Sequence, residues 1–122
     1  MAAAKKPWPT EIRLTKDKKT LVVRYDDGAV FDLAAELLRV LSPSAEVQGH
    51  SADQRKTVPG KRNVGIRAVE PVGNYAVRLV FDDGHSTGIF TWAYLAKLGR
   101  ERESLFAAYL GELAAKGYSR DV

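Results

Sequence analysis

The stretch that decides the fold spans residues 73–98 and reads GNYAVRLVFDDGHSTGIFTWAYLAKL. Apolar and polar residues alternate from Tyr75 to Phe81, as they do in a half-buried strand. The sequence Asp82-Asp83-Gly84 follows, and it favours a hairpin turn because glycine tolerates positive φ and aspartate accepts turn geometry. A short second strand and a helix capped by Thr91 complete the pattern. The stretch therefore predicts a β-hairpin followed by a helix.

A similar pattern occurs earlier in the chain. A strand pattern from Leu21 to Tyr25 leads into Asp26-Asp27-Gly28, and the matching positions from Val77 to Gly84 lie 56 residues later (77 − 21 = 56). Asp32 is then predicted to cap a helix over residues 33–40. Two interpretations stay open: a duplicated hairpin–helix unit, or two unrelated hairpins that share a common turn sequence.

The remaining segments carry weaker patterns. Residues 1–10 are predicted to form a flexible tail, because two prolines interrupt regular structure there. Residues 44–63 have few apolar side chains and are typical of a long connection. A further strand is predicted around residues 66–69, ended by Pro71.

The end of the chain is predicted to be helical. Gly99 is expected to end the helix that Thr91 begins, and Gly117 is expected to end a C-terminal helix. This helix, within residues 99–122, has an apolar face that packs on its own domain, on a second copy of the chain or on a partner. Together the patterns predict an α+β fold: a small, mainly antiparallel sheet built from β-hairpins and covered by two or three helices.

Composition narrows the location and the chemistry. The 122 residues suit one domain, and no apolar run approaches the length of about 20 residues that crosses a bilayer. The first residues lack the apolar core of a secretory leader, so we expect a cytoplasmic protein without a membrane partner. The chain has no cysteine, which excludes disulfides, thiolate nucleophiles and cysteine-ligated metal centres within it.

The charge pattern gives little support for nucleic-acid binding. The formal net charge is +4, and the most basic window spans residues 55–67. This window contains no aromatic side chain on which a base could stack. We therefore expect a solvated loop there, and nucleic acid is not an expected partner.

One motif is typical of a catalytic serine, but the sequence lacks the histidine that the mechanism needs. Gly84 to Gly88 reads GHSTG and satisfies G-x-S-x-G, the nucleophile elbow of α/β-hydrolases. That mechanism needs a histidine later in the chain, and none follows Ser86. The sequence therefore predicts a protein that is not an enzyme.

A metal site is the alternative chemistry. Two histidines and one carboxylate can hold iron, and His85 and His50 with Asp82, Asp83 or Asp53 are the candidates. Of the aspartates, Asp83 is the preferred companion. The competing interpretation is that His85 is a turn histidine bonded to the backbone. We therefore expect no cofactor, and iron or zinc is the alternative.

Three segments together resemble a known family. They are LLRVLSPSAEVQGH at 37–50, EPVGNYAVRLVFDDGH at 70–85 and GIFTWAYL at 88–95. In combination they are similar to the gamma-butyrobetaine hydroxylase-like N-terminal domain family, catalogued as a domain of unknown function. The likeness places the domain at residues 11–98. Members of this family occur as short bacterial proteins, ahead of the catalytic domain of carnitine-pathway dioxygenases, and appended to ATPases linked to iron–sulfur assembly.

The resemblance carries over only part of the chemistry. The iron ligands of the dioxygenases belong to a separate downstream domain, so hydroxylase activity is not implied. The dioxygenase version of the domain resembles a zinc module with three cysteines and one histidine. The histidine corresponds to His85, whereas the cysteine positions fall on Ser42, Ser44 and Val47. The resemblance therefore implies that this zinc site is lost.

The function that these observations favour is a non-catalytic accessory module. Its expected partner is an unidentified protein, with a homo-oligomer as the alternative. The expected contact surface includes His85, Trp92, Tyr94 and the loop at residues 42–63. The rival hypothesis is an iron- or zinc-binding protein that supports a redox or iron–sulfur pathway.

Overall fold

Two antiparallel three-stranded sheets and four helices make up the computed structural model, which describes residues 8–50 and 54–121. The α+β class is confirmed, with the strands divided between two sheets. Within these ranges no helix is long and apolar enough to cross a membrane. The elements are β1 (Pro9–Leu14), β2 (Thr20–Tyr25), β3 (Val30–Ala34), α1 (Ala35–Val40), α2 (Ala45–Gln48), β4 (Ile66–Val72), β5 (Ala76–Phe81), β6 (Ile89–Thr91), α3 (Trp92–Arg100) and α4 (Arg102–Lys116).

The two sheets share one layout. Their strand orders are β1-β2-β3 and β4-β5-β6, and each last strand runs directly into a helix, α1 or α3. Both predicted DDG turns are present, with Gly28 at φ 89° and Gly84 at φ 94°. In each turn the second aspartate accepts a backbone hydrogen bond two residues on, from Ala29 N–H at 2.9 Å and from His85 N–H at 3.0 Å. The hairpin–helix unit thus occurs twice in the structure.

One apolar core joins the two units. It combines residues of β2 and β3 with residues of β4, β5, β6 and α3 in a single buried cluster. Burying one such aliphatic or aromatic side chain is worth about 1.5–3 kcal/mol, so this cluster is the main source of stability. The largest side chains that it buries completely are Leu21, Leu33, Leu38, Ile66, Leu79, Phe81, Phe90, Leu95 and Leu98.

The C-terminal helix α4 packs on its own chain. Tyr109 and Leu113 bury their side chains in a small second cluster with Val40 of α1. The residues after α4 are also attached, since Ser119 C=O accepts from Gly60 N–H at 2.8 Å. Arg120 binds the buried Glu36 carboxylate with two nitrogens, at 2.8 and 2.6 Å. Helix α4 and the residues after it therefore pack over α1 and the segment near residue 60.

The first helix begins later than predicted. Leu33 and Asp32 stay in the β3 ladder, opposite Leu21 and Val22, and α1 starts at Ala35. The residue at the helix N-cap is Ala34, which provides no side-chain hydrogen bond, so the prediction that Asp32 caps this helix is wrong. Strand pairing prevails here because it places Leu33 in the core with no exposed surface.

Both proline-based boundaries are also shifted. Pro71 lies inside β4, paired with Val77, and Pro9 begins β1 opposite Tyr25. β1 and β4 are edge strands, where the missing N–H of proline is tolerated. The predicted tail thus contains the start of a strand, and residues 1–7 lie outside the described ranges. The predicted connection at 44–63 contains the short helix α2.

Gly99 does not end α3, which continues to Arg100. A Cβ at Gly99 would come within 2.3 Å of Cγ of Phe31 in β3, so the glycine serves the close packing of this helix on the first sheet. Gly117 does end α4, in the left-handed conformation at φ 68°, as predicted. Thr91 is confirmed as a cap, since its hydroxyl accepts from Tyr94 N–H at 3.1 Å.

Replacing Gly99 by alanine should destabilise the protein. The added methyl group would overlap the ring of Phe31, and such overpacking typically costs about 1–3 kcal/mol. Gly111→Ala is the matched control: Gly111 lies within α4 and nothing is within 4 Å of its added Cβ. This control should gain about 0.5–1 kcal/mol from helix propensity. Urea unfolding measures both changes, and equal stabilities of the two variants would contradict the packing role of Gly99.

Candidate functional site

A group of polar side chains surrounds His85, which directly follows the second DDG turn. The imidazole is buried, with 3% of its side-chain surface exposed. Its Nδ1 lies 3.0 Å from Oε2 of Glu46, and its Nε2 lies 2.9 Å from Oγ of Ser42. We call these three residues the His85 network. It connects the β5–β6 turn to α2 and to the segment between α1 and α2.

Local sequence explains how the serines reach this turn. Pro43 keeps α1 from continuing, and Ser44 caps α2 by accepting from Glu46 N–H at 3.2 Å. Ser44 Oγ also lies 2.6 Å from Oγ1 of Thr87 in the β5–β6 turn. A Cβ on Gly88 would come within 2.3 Å of Ser42 Oγ, so a glycine is needed where the two segments meet.

Charged groups hold the same turn from the other side. One carboxylate oxygen of Asp83 accepts from Arg39 Nε at 2.7 Å and from Lys61 Nζ at 2.6 Å. Burial raises the pKa of Asp83, but the hydrogen bonds from Lys61, the His85 backbone and Arg39 outweigh it and lower the pKa to about 2. Arg39 Nη1 is buried and has no hydrogen-bond partner within the described residues. A donor left in that state costs about 1–3 kcal/mol.

His85 is neutral near pH 7. Burial lowers its pKa below the ordinary value of 6.5, and the positive charge of Arg39 adds to this, against the opposing effect of Glu46 and Asp83. A carboxylate only accepts hydrogen bonds, so the proton sits on Nδ1 and points to Glu46. Nε2 then accepts the hydroxyl proton of Ser42.

The order Ser42–His85–Glu46 matches that of a serine hydrolase triad. Ser42, however, has no exposed surface, so a substrate carbonyl cannot approach its oxygen. The serine bonded to the histidine is Ser42, 43 residues away, and not Ser86 of the GHSTG motif. The family resemblance groups Ser42 with His85 as positions of one lost zinc site, but it does not predict the hydrogen bond between them.

The predicted metal ligands are not grouped. His50 is exposed, and its backbone N–H donates to the side chain of Gln54 at 2.8 Å. Asp83 is held by two cations, and Asp53 lies outside the described ranges. In residues 8–50 and 54–121, no three His, Asp or Glu side chains are arranged to hold a metal ion.

The residues at the four positions that the resemblance links to zinc in the dioxygenase version do not fit zinc. Ser42 and His85 are in direct contact, and Ser44 and Val47 are buried nearby in α2 and its cap. Structural zinc takes thiolate and imidazole ligands, and these four positions offer one imidazole, two hydroxyls and one alkyl group. Both nitrogens of His85 are already hydrogen-bonded, so hydrogen bonds make the cross-link at this place.

The predicted contact surface is only partly exposed. Tyr94 donates its hydroxyl to Leu41 C=O, and burial raises the pKa of this phenol. Trp92 donates its indole N–H to Asn74 C=O at 2.9 Å and lines a groove of about 300 Å³ with Trp8, which is 50% exposed. We call this the aromatic groove. The aromatic groove does not include the buried imidazole of His85. Of the three predicted contact residues His85, Trp92 and Tyr94, Trp92 lines this groove together with Trp8.

The basic window at residues 55–67 is largely neutralised. Arg55 pairs with Glu112 of α4, Lys61 with Asp83, and Arg62 with Asp121. Three of its five cations therefore serve contacts within the chain, which leaves little positive charge for a polyanion.

Comparison with known proteins identifies relatives. The family model described as gamma-butyrobetaine hydroxylase-like, N-terminal, matches residues 12–96. A comparison with curated proteins gives no match.

Solved structures resemble the chain closely. One, described as an NMR solution structure, has 51% sequence identity and a TM-score of 0.83, and the match covers 96% of this chain and 92% of the other. A second NMR structure has 44% identity and a TM-score of 0.82, over 98% and 89%. A crystal structure of a protein of unknown function from Acidithiobacillus ferrooxidans, described as a DUF971 family member, has 43% identity and a TM-score of 0.62, over 75% and 91%.

The His85 network should make stability depend on pH. The folded pKa of His85 is lowered from 6.5, so the unfolded chain binds this proton more readily. The contribution of His85 to the free energy of unfolding should therefore be fully present above pH 6.5. It should decrease as the pH falls from 6.5 through the folded pKa. In His85→Gln, whose amide also donates and accepts, this part of the profile should be flat. Urea unfolding between about pH 8 and 5 measures it, and an unchanged profile in His85→Gln, or a flat one in the exposed control His50→Gln, would refute the assignment.

Asp83→Asn should weaken the fold at neutral pH. The change leaves Arg39 and Lys61, with 13% and 21% of their side chains exposed, without their shared counter-charge. We expect a loss of about 1–3 kcal/mol, below that of a fully buried pair because of this exposure. Wild-type stability should also decrease as the pH falls from 3.8 through about 2, and the variant should lack this contribution. Asp82→Asn, at the exposed neighbouring position, is the control, and equal losses in the two variants would argue against the bridge.

Proposed function

Because the chain belongs to the gamma-butyrobetaine hydroxylase-like N-terminal family, we propose that it is a non-catalytic accessory domain that binds a protein partner through the aromatic groove. The family resemblance to domains found beside unrelated catalytic domains motivates the accessory role. The geometry of this chain supports the choice of surface.

The groups that look reactive are engaged in holding the fold. His85 uses both ring nitrogens, and Ser42 is covered completely. Asp83 accepts from a backbone amide and two cations. These contacts favour a structural role for the polar residues that the sequence singles out, and they support a function exercised at the surface.

The observation that carries the proposal is the pairing of Trp8 and Trp92 in one groove. Tryptophan is enriched among the residues that dominate binding energy at protein interfaces. Trp92 starts α3 behind the Thr91 cap, and its indole is held by Asn74, so it is positioned before any partner arrives. Trp8, half exposed, supplies apolar surface that remains to be buried.

Iron or zinc binding is the weaker alternative. Its candidate ligand is His85, whose nitrogens are hydrogen-bonded, and its companions His50 and Asp83 have other surroundings. No described contact favours it over partner binding.

The proposal predicts that the groove determines partner capture. Wild-type protein is used as bait in a lysate of its source cells, and the captured protein is then purified for affinity measurement. Trp8→Ala should weaken binding by about 30-fold, which corresponds to about 2 kcal/mol at an interface hot spot. Trp92→Ala should act in the same direction, with urea unfolding to confirm that it stays folded.

Tyr118→Ala is the control for this experiment. Tyr118 is 49% exposed, a fraction similar to that of Trp8, and it lies outside the aromatic groove. The control should bind as wild type does. Capture of the same proteins by all three variants, or of no specific protein by wild type, would rule out this surface.

A further inference from the structure

A second groove lies beside the His85 network, away from the two tryptophans. It has a volume of about 430 Å³ and runs between α1, α2 and the segment at residues 56–59. Arg39, Glu46 and Lys56 give it charged walls, and Val47 and Val58 give it apolar ones. We call it the Arg39 groove.

Arg39 brings an unused hydrogen-bond donor to this place. Its Nε is bonded to Asp83, whereas Nη1 is buried and has no acceptor within the described residues. Buried donors in proteins are nearly always satisfied, by protein, water or ligand. An acceptor that enters the Arg39 groove would satisfy it. Nη1 is covered in this structure, so neighbouring side chains must move before that acceptor can reach it.

The local charge indicates which acceptor fits. Among the side chains that line the groove, two cations, Arg39 and Lys56, meet one carboxylate, Glu46, and His85 is neutral. The sum is one positive charge (2 − 1 = 1), and the ammonium of Lys56 forms no ion pair within the described residues. A singly charged anion neutralises this site, whereas a doubly charged phosphate would leave an excess of negative charge beside Glu46 and Asp83.

The apolar walls indicate the rest of the ligand. Val47 is buried at one side, and Val58 and Pro59 line the other. The volume exceeds that of a carboxylate alone, since a water molecule takes up about 30 Å³ in the liquid. A short branched alkyl group fills the remaining space against the valines.

We propose that the Arg39 groove binds a small aliphatic monocarboxylate, whose oxygens bond to Arg39 and Lys56 and whose alkyl group lies against Val47 and Val58. The Arg39 groove shares no lining residue with the aromatic groove, so ligand binding there does not require the protein partner.

NMR titration of the full chain tests the proposal with four probes: isobutyrate, acetate, isobutyramide and inorganic phosphate. Isobutyrate should shift the amide signals of Thr57, Val58 and His85 in a saturable manner. It should bind at least about threefold more tightly than acetate, because of its additional buried carbons. The neutral isobutyramide should cause no saturable shift, and phosphate should bind more weakly than isobutyrate.

The deciding variant is Lys56→Gln. Lys56 is exposed, so the variant should fold, and its affinity for isobutyrate should fall at least about fivefold through loss of one charge. Arg67→Gln is the matched control, since Arg67 is an exposed cation on β4 outside the groove. Arg39→Gln should abolish saturable binding. It also removes the hydrogen bond from Arg39 to Asp83, so Lys56→Gln is the variant that decides the test.

Three results would overturn the proposal. The first is a linear, unsaturated response to isobutyrate, which indicates an adventitious ion only. The second is equal weakening in Lys56→Gln and Arg67→Gln, which indicates attraction to net charge. The third is tighter binding of phosphate than of isobutyrate, which indicates a different class of anion.

Discussion

Each three-stranded sheet has an apolar face that it cannot bury alone, and this constraint organises the molecule. A sheet of three strands needs a covering layer to be stable in water. Here the apolar faces of both sheets enter one cluster, and α3 closes it by packing Gly99 against Phe31 of the first sheet. The two units therefore stabilise each other, and neither has a complete core of its own.

The second DDG turn is attached to the rest of the domain mainly by polar contacts. The second DDG turn is bonded through Asp83 to α1 and to the segment near residue 61, and through His85 to the α1–α2 link. Such buried polar groups are costly when one partner is missing, so removing any one of them should weaken the attachment of the turn. This explains why residue types that are common in active sites occur here in structural positions.

Local features of the fold could be predicted from the sequence, and long-range ones could not. The DDG turns and the Thr91 and Gly117 caps depend on neighbouring residues, and they are present as predicted. The start of α1 was misplaced because the burial of Leu33 in the β3 ladder outweighs the capping propensity of Asp32. At the site, the hydrogen bond from the His85 N–H to Asp83 is a local turn contact. The approach of Ser42 to His85, which lies 43 residues away, is implied by the family resemblance and by no local pattern.

The attachment of the C-terminal residues has a consequence for proteins that carry such a domain next to another one. Gly60 and Arg62 bond the backbone at Ser119 and Arg120, and Arg120 binds Glu36, so the chain leaves the domain from a fixed point. A following domain joined there by a short connection would start with its orientation largely set. Its effective concentration at the surface of this domain would then depend on geometry more than on linker length. In such an arrangement the domain would act as a rigid spacer.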